Sequence, residues 1–418
     1  MGSHTSTAGT GMGNDSVVRD SMQIHFPQRE WLIRCALVLV CTGFWHSQLN
    51  YLSFPLLTFA WLIDGGWRRF DKAIRLPLVQ AMFLLCALLL IGLSWSEPVP
   101  DGRMKWLKYF VLLIFIPFYL LLNKQRLPWA LGGLAVGYAS ILALGVYQWL
   151  AVGGQGIPLL GMSYLSFSAM LGVGVVVAVS FACMSQSLKL QLCLGIAALL
   201  LLLVQFHQNA RALLLATLIS VTLLIFLRYK MAIKRMLGIM LFLTVTMTIF
   251  AWSSPVFEDR LMLLRNDIAL LQQGDYNSSL GYRLAMWDVG VHAILNRPLT
   301  GYGTGMPAHY FDQIIVTYRD GLYRDLPKFQ KTSHFHNDWV EIGVHIGVPG
   351  MLALLFLFWG WYQLFKTNQL VFLGVGLLSY LFLSGLTDTF LIFSRTPILL
   401  LIITATAIDW RQRRNIIG

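Results

Sequence analysis

Long apolar stretches separated by short polar loops make up most of the chain. A helix needs roughly 20 apolar residues to cross a bilayer. Twelve stretches approach or reach that length, at residues 31–49, 51–64, 76–94, 107–122, 128–150, 165–184, 190–206, 210–227, 236–253, 340–365, 369–386 and 390–409. The pattern therefore predicts an all-α polytopic membrane protein with about 12 transmembrane helices and both termini on the same side.

One large polar segment, residues 254–337, interrupts this pattern before the last three stretches. A loop of this size with helical periodicity of its own is more often functional than filler. Within it, Ser278 and Ser279 predict the start of a helix that continues to about Leu295. The predicted organisation is an expression leader and flexible N-terminus (1–22), nine transmembrane helices (23–253), the loop domain (254–337), and three further helices with the C-terminus (338–418).

Composition and charge placement agree with a membrane protein. Hydrophobic residues make up 57% and charged residues 12% of the chain, and soluble proteins carry about twice that charged fraction. The net charge of +12 comes largely from short loops, with Arg68, Arg69, Lys72 and Arg75; Lys124 and Arg126; Arg228, Lys230, Lys234 and Arg235; and Arg411, Arg413 and Arg414. Such clusters mark a cytoplasmic membrane face and argue against a nucleic-acid partner. Segment 254–337 then lies on the periplasmic side, together with one less typical basic loop that contains Arg103, Lys105 and Lys108.

The end of the polar segment, residues 334–338, holds two histidines before the next apolar stretch. Asp338 followed by Glu341 resembles a capping box, so a helix is predicted to begin near Asp338. His336 then lies just outside a helix N-terminus, whose dipole favours a neutral imidazole that accepts a proton near pH 7. The structural alternative is a surface histidine that caps the helix or bonds a carbonyl group. His334 is an equal candidate on the same grounds.

Two arginines are predicted to lie on the same side as these histidines: Arg211 at the mouth of a span and Arg283 on the loop helix. A charge at the start of an apolar run usually has a partner or a substrate, and guanidinium groups bind phosphate oxygens through a bidentate fork. Two arginines and a histidine on one face suit a pyrophosphate. The structural alternatives are snorkelling of Arg211 to the headgroups and a salt bridge from Arg283 to Asp288. Arg265 and Arg319 are weaker candidates for phosphate contacts.

Other motifs argue against nucleotide and metal chemistry. The Gly301–Gly305 stretch lacks the lysine and the setting of a phosphate-binding loop, so it is predicted to be a plain turn, with a turn that makes room for a sugar or phosphate as the alternative. The carboxylates Asp312, Asp320 and Asp325 are spread out, so neither a metal nor a cofactor is predicted. The five cysteines all fall in apolar stretches and are predicted to be inert.

The glycines after the histidines predict a packing feature. Gly343 and Gly347 form a small-residue face that lets a neighbouring helix approach closely. Pro349, between Gly347 and Gly350, adds the prediction that the helix is kinked or widened there.

These residues carry a family resemblance. His336-Asn337, nine residues, then Gly347-x-x-Gly350 resembles the H[NSQ]-x9-GxxG motif of bacterial O-antigen ligases. The arginine-bearing loop helix followed by Pro298 and Gly301–Gly303 is also similar to the wider ligase and polymerase superfamily. The topology, with a large periplasmic loop before the last three helices, extends the resemblance over nearly the whole chain.

The resemblance implies transfer of O-antigen polysaccharide from undecaprenyl pyrophosphate to the outer-core sugar of lipid A–core, at the periplasmic face of a Gram-negative inner membrane. Family members are regarded as metal-independent, inverting glycosyltransferases without a cofactor. Arg211 and Arg283 match the arginines expected at the donor pyrophosphate, and His336 matches the histidine expected to act as general base. His334 and Asn337 are further candidates for phosphate or sugar contacts.

Three other functions fit parts of the pattern. An O-antigen polymerase and a protein O-oligosaccharyltransferase use the same donor with a different acceptor. A lipid-linked sugar flippase needs no chemistry, but many transporters contain an internal repeat, and none is evident in this sequence. The histidine motif favours the ligase.

Overall fold

The computed structural model describes residues 27–46, 48–97, 104–252, 255–393 and 395–417. These residues form helices and turns, with one isolated β-bridge between Ile157 and Met162. The predicted leader and Arg103 lie outside the described residues. The all-helical fold class is therefore confirmed for the described part of the chain.

The apolar stretches before the polar segment are helical. In chain order they are α1 Pro27–Gly43, α2 Leu49–Ile63, the short α3 Phe70–Ile74, α4 Pro77–Gly92, α5 Phe115–Leu121, α6 Leu127–Tyr147, α7 Tyr164–Met184, α8 Leu188–His207, α9 Arg211–Tyr229 and α10 Ile233–Trp252. A 3-10 helix, Met104–Ile114, leads directly into α5. The predicted span at 107–122 is thus one continuous helical segment, with 3-10 geometry in its first half and α-helical geometry in its second half.

The polar segment and the last three stretches are also helical. The polar segment contains α11 Pro255–Gln272, α12 Ser279–Asn296, α13 Pro307–Ile314 and α14 Leu326–Phe329; after it come α15 Asp338–Thr367, α16 Val371–Gly385 and α17 Thr396–Ile417. The predicted loop helix is confirmed, since the side chain of Ser278 caps α12 by accepting the N–H of Gly281.

Among the described residues, seven helices are long and apolar enough to cross a membrane, and Tyr51–Ile63 and Val371–Gly385 are shorter apolar helices. The chain is therefore a polytopic membrane protein. The full number of 12 spans stays a prediction, because helices such as α1 and α17 run on into charged ends.

The side chains pack into two cores. The larger core joins the long helices, with α4 against α15 and with α7, α9 and α16 against one another. The smaller core lies within the polar segment and includes Tyr282 of α12, Phe311 of α13 and Phe335. It also receives Val340 and Val344, so the start of α15 belongs to the polar segment as much as to the bundle.

The predicted break in α15 is present. Ile346 and Gly347 leave helical geometry, with Gly347 at φ 69 and ψ −161, and the freed N–H of Val348 bonds the carbonyl of Pro298 at 2.7 Å. A Cβ on Gly347 would overlap this carbonyl oxygen. Gly343, one turn earlier, admits the side chain of Ile294 from α12. The small-residue face of α15 thus packs against the polar segment, through Ile294 and Pro298.

Helix directions place the start of α9 and the start of α15 at one end of the bundle. Leu224 of α9 lies against Gly376 of α16, while Thr217 and Tyr380 meet at Gly172. The two helices are therefore antiparallel, and Arg211 lies at the end where α16 finishes.

Candidate active site

Asp388 joins the two histidines. Its Oδ1 lies 2.9 Å from Nε2 of His334 and 3.0 Å from Nδ1 of His336, and it accepts the N–H of Thr389 at 2.8 Å. The two imidazole rings lie 4.2 Å apart. All three side chains are largely buried, with 14%, 13% and 9% of the side chain exposed for His334, His336 and Asp388. This cluster is the centre of the candidate site.

The backbone holds His336 in an unusual conformation. Its φ is 50, in the left-handed region that a residue with a Cβ seldom adopts. Its carbonyl accepts a hydrogen bond from the indole N–H of Trp287 at 3.3 Å, and its ring lies edge-on to that of Tyr282 at 6.0 Å. Residues of α12 therefore hold both the carbonyl and the ring of His336 in place.

The helix after His336 begins at Asp338, as predicted, but its cap is Asn337. The Asn337 side chain accepts the N–H groups of Trp339 and Val340 and donates to the carbonyl of Leu386 at 3.1 Å. The predicted capping role of Asp338 is therefore wrong. Asp338 is buried and accepts the N–H of Leu391 instead.

Glu341 completes the helix start from the other side. It accepts the N–H of Phe335 at 2.7 Å, so the loop that carries both histidines is bonded to the first turn of α15. The capping box predicts that the Glu341 carboxylate accepts a backbone N–H at the helix start. It does so, although the donor is Phe335, two residues before the cap.

Hydrogen bonding separates the two histidines. An ionised carboxylate only accepts hydrogen bonds, so each imidazole donates one N–H to Asp388. The remaining Nδ1 of His334 is bonded to the Ser333 hydroxyl at 2.7 Å. Among the described residues, no protein group bonds Nε2 of His336. Its lone pair is thus available to a substrate hydroxyl, which makes His336 the better candidate base.

The pKa values fit this assignment. Burial lowers the pKa of His336, an effect that outweighs the opposing hydrogen bond and charge of Asp388; the nearby charges of His334 and Arg283 lower it further. Burial raises the pKa of Asp388, but the hydrogen bonds from both histidines outweigh this effect and hold it well below its usual range. At pH 7 the site therefore holds a neutral His336 beside an anionic Asp388.

The arginine of the loop helix lies near the site. Nη1 of Arg283 donates to the hydroxyl and carbonyl of Ser279 at 2.7 and 3.1 Å, and its charge acts on His336. The alternative salt bridge with Asp288 is not formed, because Asp288 instead accepts Arg319 and Tyr323, each at 2.8 Å. Arg319 is thus already paired, which weakens it as a phosphate ligand.

The other two predicted arginines differ in position. Arg211 begins α9 at the same end of the bundle as the histidines, and no carboxylate among the described residues pairs with it. Arg265 lies on the exposed face of α11, and the described contacts do not bring it to the histidines. The structure thus places Arg211 and Arg283 at the same end of the bundle as the two histidines.

Two lysines and the aspartate were missed as site residues. The half-buried Lys105 and Lys108 belong to the 3-10 helix Met104–Ile114, which packs on Phe390–Ile392 just after Asp388. The charge of Lys105 acts on Glu341 and Asp388. Two features of the sequence could have pointed to these residues: the basic residues of one predicted periplasmic loop, and a single carboxylate between the last two spans. Neither feature indicates that the lysines and Asp388 lie close together.

The same cluster could hold a metal ion. One donor atom each from His334, His336 and Asp388 lie within 4.8 Å of one another, and two imidazoles with one carboxylate are a common set of zinc ligands. In the structure these atoms bond each other directly. The predicted absence of a metal stays a prediction.

The predicted glycine-rich turn is a structural feature. The N–H groups of Tyr302 and Gly303 bond the carbonyls of Val344 and His345, each at 2.9 Å, and Gly305 donates to Nδ1 of His345 at 2.9 Å. These bonds fasten the turn to the first half of α15, just before its break.

Comparison with known proteins bears on the same region. Residues 196–355, which run from α8 past His336 and the break in α15, match the family model described as O-antigen ligase. Over this region the chain is therefore similar to the O-antigen ligase family. It is also 24% identical over 214 residues to a protein named O-antigen ligase from Escherichia coli (strain K12), an alignment that covers 50% of this chain and 49% of the relative. The chain therefore spans about half the length of the curated relative it matches.

Proposed function

We propose that this protein is an O-antigen ligase, which transfers O-antigen polysaccharide from undecaprenyl pyrophosphate to the outer-core sugar of lipid A–core. The observation that carries the proposal is the His336–Asp388 pair, which presents a free Nε2 within the region that matches the ligase family. The family match supports glycosyl transfer in O-antigen handling. The particular donor, acceptor and mechanism are our proposals, as is the location of the site at the periplasmic face of an inner membrane.

The proposed reaction is one displacement with inversion. Nε2 of His336 takes the proton of the acceptor hydroxyl while its oxygen attacks the anomeric carbon of the donor sugar. The bond between that carbon and the pyrophosphate oxygen breaks, and its electron pair leaves with undecaprenyl pyrophosphate. Asp388 holds Nδ1–H and stabilises the imidazolium as it forms. A general base of this kind contributes typically 10²–10⁴-fold in rate.

Cations take the role that a metal has in many glycosyltransferases. Arg211 and Arg283 bind the donor pyrophosphate and neutralise the charge that grows on it as the bond breaks. Lys105, whose charge acts on Asp388, adds positive charge at the cluster, and Lys108 lies near Lys105 on the same 3-10 helix. Arg265 and Arg319 are less favoured, because one lies away from the cluster and the other is paired with Asp288.

The test is transfer by the purified protein in detergent, with undecaprenyl-pyrophosphate glycan and lipid A–core and the product resolved on a gel. We expect His336→Ala to lose about 10²–10⁴-fold in rate. His292→Ala is the matched control, because His292 contacts Asn296 and Tyr318 and makes no described bond to Asp388. A folded His336→Ala variant that keeps most of its activity would remove the base assignment.

Two further arms test the acceptor and the metal-free mechanism. A second lipid-linked glycan, offered in competition with lipid A–core, distinguishes a ligase from a polymerase by the product that forms. EDTA is expected to leave the rate unchanged. If chelator abolishes transfer and zinc restores it, the cluster of His334, His336 and Asp388 is a metal site and the metal-free mechanism is wrong.

A further inference from the structure

A second polar site lies at the other end of the bundle. α15 has 30 residues, which at 1.5 Å per residue is about 45 Å. Its far end meets the end of α17, where Arg411 bonds Gln369 and Gln412 bonds Asn368. Arg413 from that region lines a cavity of about 870 Å³ beside the start of α1, the end of α2 and the start of α6. The cavity is therefore separate from the histidine cluster.

The wall of this cavity is strongly basic. Six cationic side chains line it: Arg29, Arg68, Arg69, Lys124, Arg126 and Arg413. Glu30 and Asp64 are the carboxylates among the lining residues, so the formal charge of the lining is 6 − 2 = +4. Asp409 pairs with Arg413 from outside the lining, which leaves an excess of +3.

The carboxylates are already engaged by a buried arginine. Arg126 is 4% exposed and bonds Glu30 through Nε and Nη2 at 2.7 to 3.1 Å. It bonds Asp64 through Nη1 and Nη2 at 3.0 and 2.8 Å. Asp64 is also bonded by Arg29 and Arg69. The acidic groups therefore hold the wall together and leave little negative charge for the cavity.

Arg68 and Lys124 supply the unpaired charge. Both are exposed, and no carboxylate among the described residues pairs with either of them. Arg68 lies over the ring of Trp67 at 5.8 Å. A concave surface with this excess of guanidinium and ammonium groups suits a phosphate group.

The surroundings favour a phosphate carried by a lipid. Trp67 and Trp31 expose 63% and 67% of their surface, and tryptophan is enriched where a membrane meets water. An apolar groove of about 550 Å³, lined by residues that include Trp31, Leu32, Leu39 and Leu56, runs between α1 and α2. It begins in the same first turn of α1 that supplies Arg29 to the basic cavity.

We propose that this basic cavity binds the headgroup of an anionic glycerophospholipid, with an acyl chain in the groove between α1 and α2. The lipid lies in the leaflet opposite the histidine cluster, and its binding does not depend on the proposed transfer reaction. It fastens α1, α2 and α6 together at the end of the bundle where their charged ends meet.

The test measures lipid binding by native mass spectrometry and thermal unfolding of the full-length protein in a neutral detergent. Dioleoyl phosphatidylglycerol, dioleoyl phosphatidylcholine and inorganic phosphate are added in separate arms. We expect phosphatidylglycerol to bind and raise the melting temperature more than either of the others. Equal effects of the two lipids would remove the headgroup site, and full stabilisation by phosphate alone would assign the cavity to a soluble anion.

The variants test which cations are responsible. The double variant Arg68→Gln with Lys124→Gln is expected to bind phosphatidylglycerol roughly thirtyfold more weakly, at about one tenfold step per 1.4 kcal/mol and about 1 kcal/mol per cation. Lys72→Gln with Arg75→Gln is the matched control, since these exposed residues carry the same charge on the same face outside the cavity lining. An equal loss in the control would show general surface attraction and overturn the proposal.

Each single variant, Arg68→Gln or Lys124→Gln, guards against a folding defect. Both leave the Arg126 cluster intact, so the melting temperature without lipid is expected to match that of the unmodified protein. The loss of binding is expected to be intermediate in each. Unchanged lipid binding in both single variants and in the double variant would contradict the site.

Discussion

At the residue scale, Asp388 acts on His336 in two ways. It fixes the ring, because Nδ1–H is donated to Oδ1 at 3.0 Å, and it raises the proton affinity of an imidazole whose pKa burial otherwise lowers. Replacing Asp388 therefore changes both the position of the base and the pH at which it is charged. A purely structural role would change neither the pKa nor the pH profile.

Asp388→Asn is predicted to lower the transfer rate about 10–100-fold, the range found when a residue that orients a functional histidine is lost. The base works when neutral, so the rate rises with pH through the pKa of His336, which burial holds below the ordinary value of a histidine. Without the carboxylate this pKa falls further, and the acid limb of the pH–rate profile is expected to shift to lower pH. Asp288→Asn, a loop carboxylate paired with Arg319, is the control. An unshifted acid limb with a reduced rate would leave Asp388 without an electrostatic role.

Arg211→Lys is predicted to lower kcat/KM for the lipid-linked donor by about tenfold or more, because a lysine keeps the charge but loses the bidentate fork. The measurement is initial rate against donor concentration at saturating acceptor. Arg265→Lys, on the exposed face of α11, is expected to match the unmodified protein. Equal kinetics for both variants would remove Arg211 from the donor site.

Sequence patterns at this scale point to His336 as a candidate site residue but not to Asp388, its hydrogen-bond partner. The motif around residues 336–350 and the helix start can be read from local spacing. Asp388 lies 52 positions further along the chain, and Lys105 belongs to a helix from the first half of the molecule. Contacts between such distant residues depend on how the helices pack, which local periodicity does not report. The choice between His334 and His336 required the hydrogen bond from Ser333.

At the element scale, α15 is defined by its break. Local sequence predicts the break well. Gly347 weakens a helix because glycine loses more conformational entropy on folding than other residues, and Pro349 weakens it because proline has no N–H to donate. Its function in the fold is visible only in three dimensions, where the carbonyl of Pro298 fills the space left by the absent Cβ. The confirmed helix start differs in its cap, because Asn337 and not Asp338 accepts the free N–H groups of the first turn, those of Trp339 and Val340.

Gly347→Ala is predicted to destabilise the protein by about 1–3 kcal/mol, because an alanine is strained at positive φ and its Cβ meets the Pro298 carbonyl. Thermal unfolding in detergent measures the effect. Gly195→Ala is the matched control, since Gly195 lies within α8 with no neighbouring atom within 4 Å of an added Cβ. Equal melting temperatures for the two variants would show that the break tolerates a side chain.

At the scale of the whole molecule, the bundle has a histidine end and a basic end. The sequence predicts this asymmetry from the distribution of arginine and lysine, and the structure places Arg211 and Asp388 together at one end and Arg126 with Arg413 at the other. Which end faces the periplasm, and how many of the 12 predicted stretches cross the membrane, remain predictions.

Single cysteines test the predicted orientation. In a variant whose five cysteines are replaced by alanine, Lys331→Cys is expected to react with a membrane-impermeant maleimide added to intact spheroplasts. Lys72→Cys is expected to react only after the membrane is opened. Both positions are exposed. The reverse pattern would place the histidine cluster in the cytoplasm and remove the proposed access to a periplasmic acceptor.

The break in α15 has a mechanical consequence for catalysis. Ahead of it, α15 is bonded to the turn at Tyr302 and Gly303 and shares the core of the polar segment through Val340 and Val344. The loop that carries His336 is therefore tied to the polar segment, through the indole of Trp287, and to the bundle, through the hydrogen bond to Asp388. A tilt of the polar segment about the break would lengthen the bond between His336 and Asp388, so this one hydrogen bond couples the orientation of the imidazole to that of the whole segment.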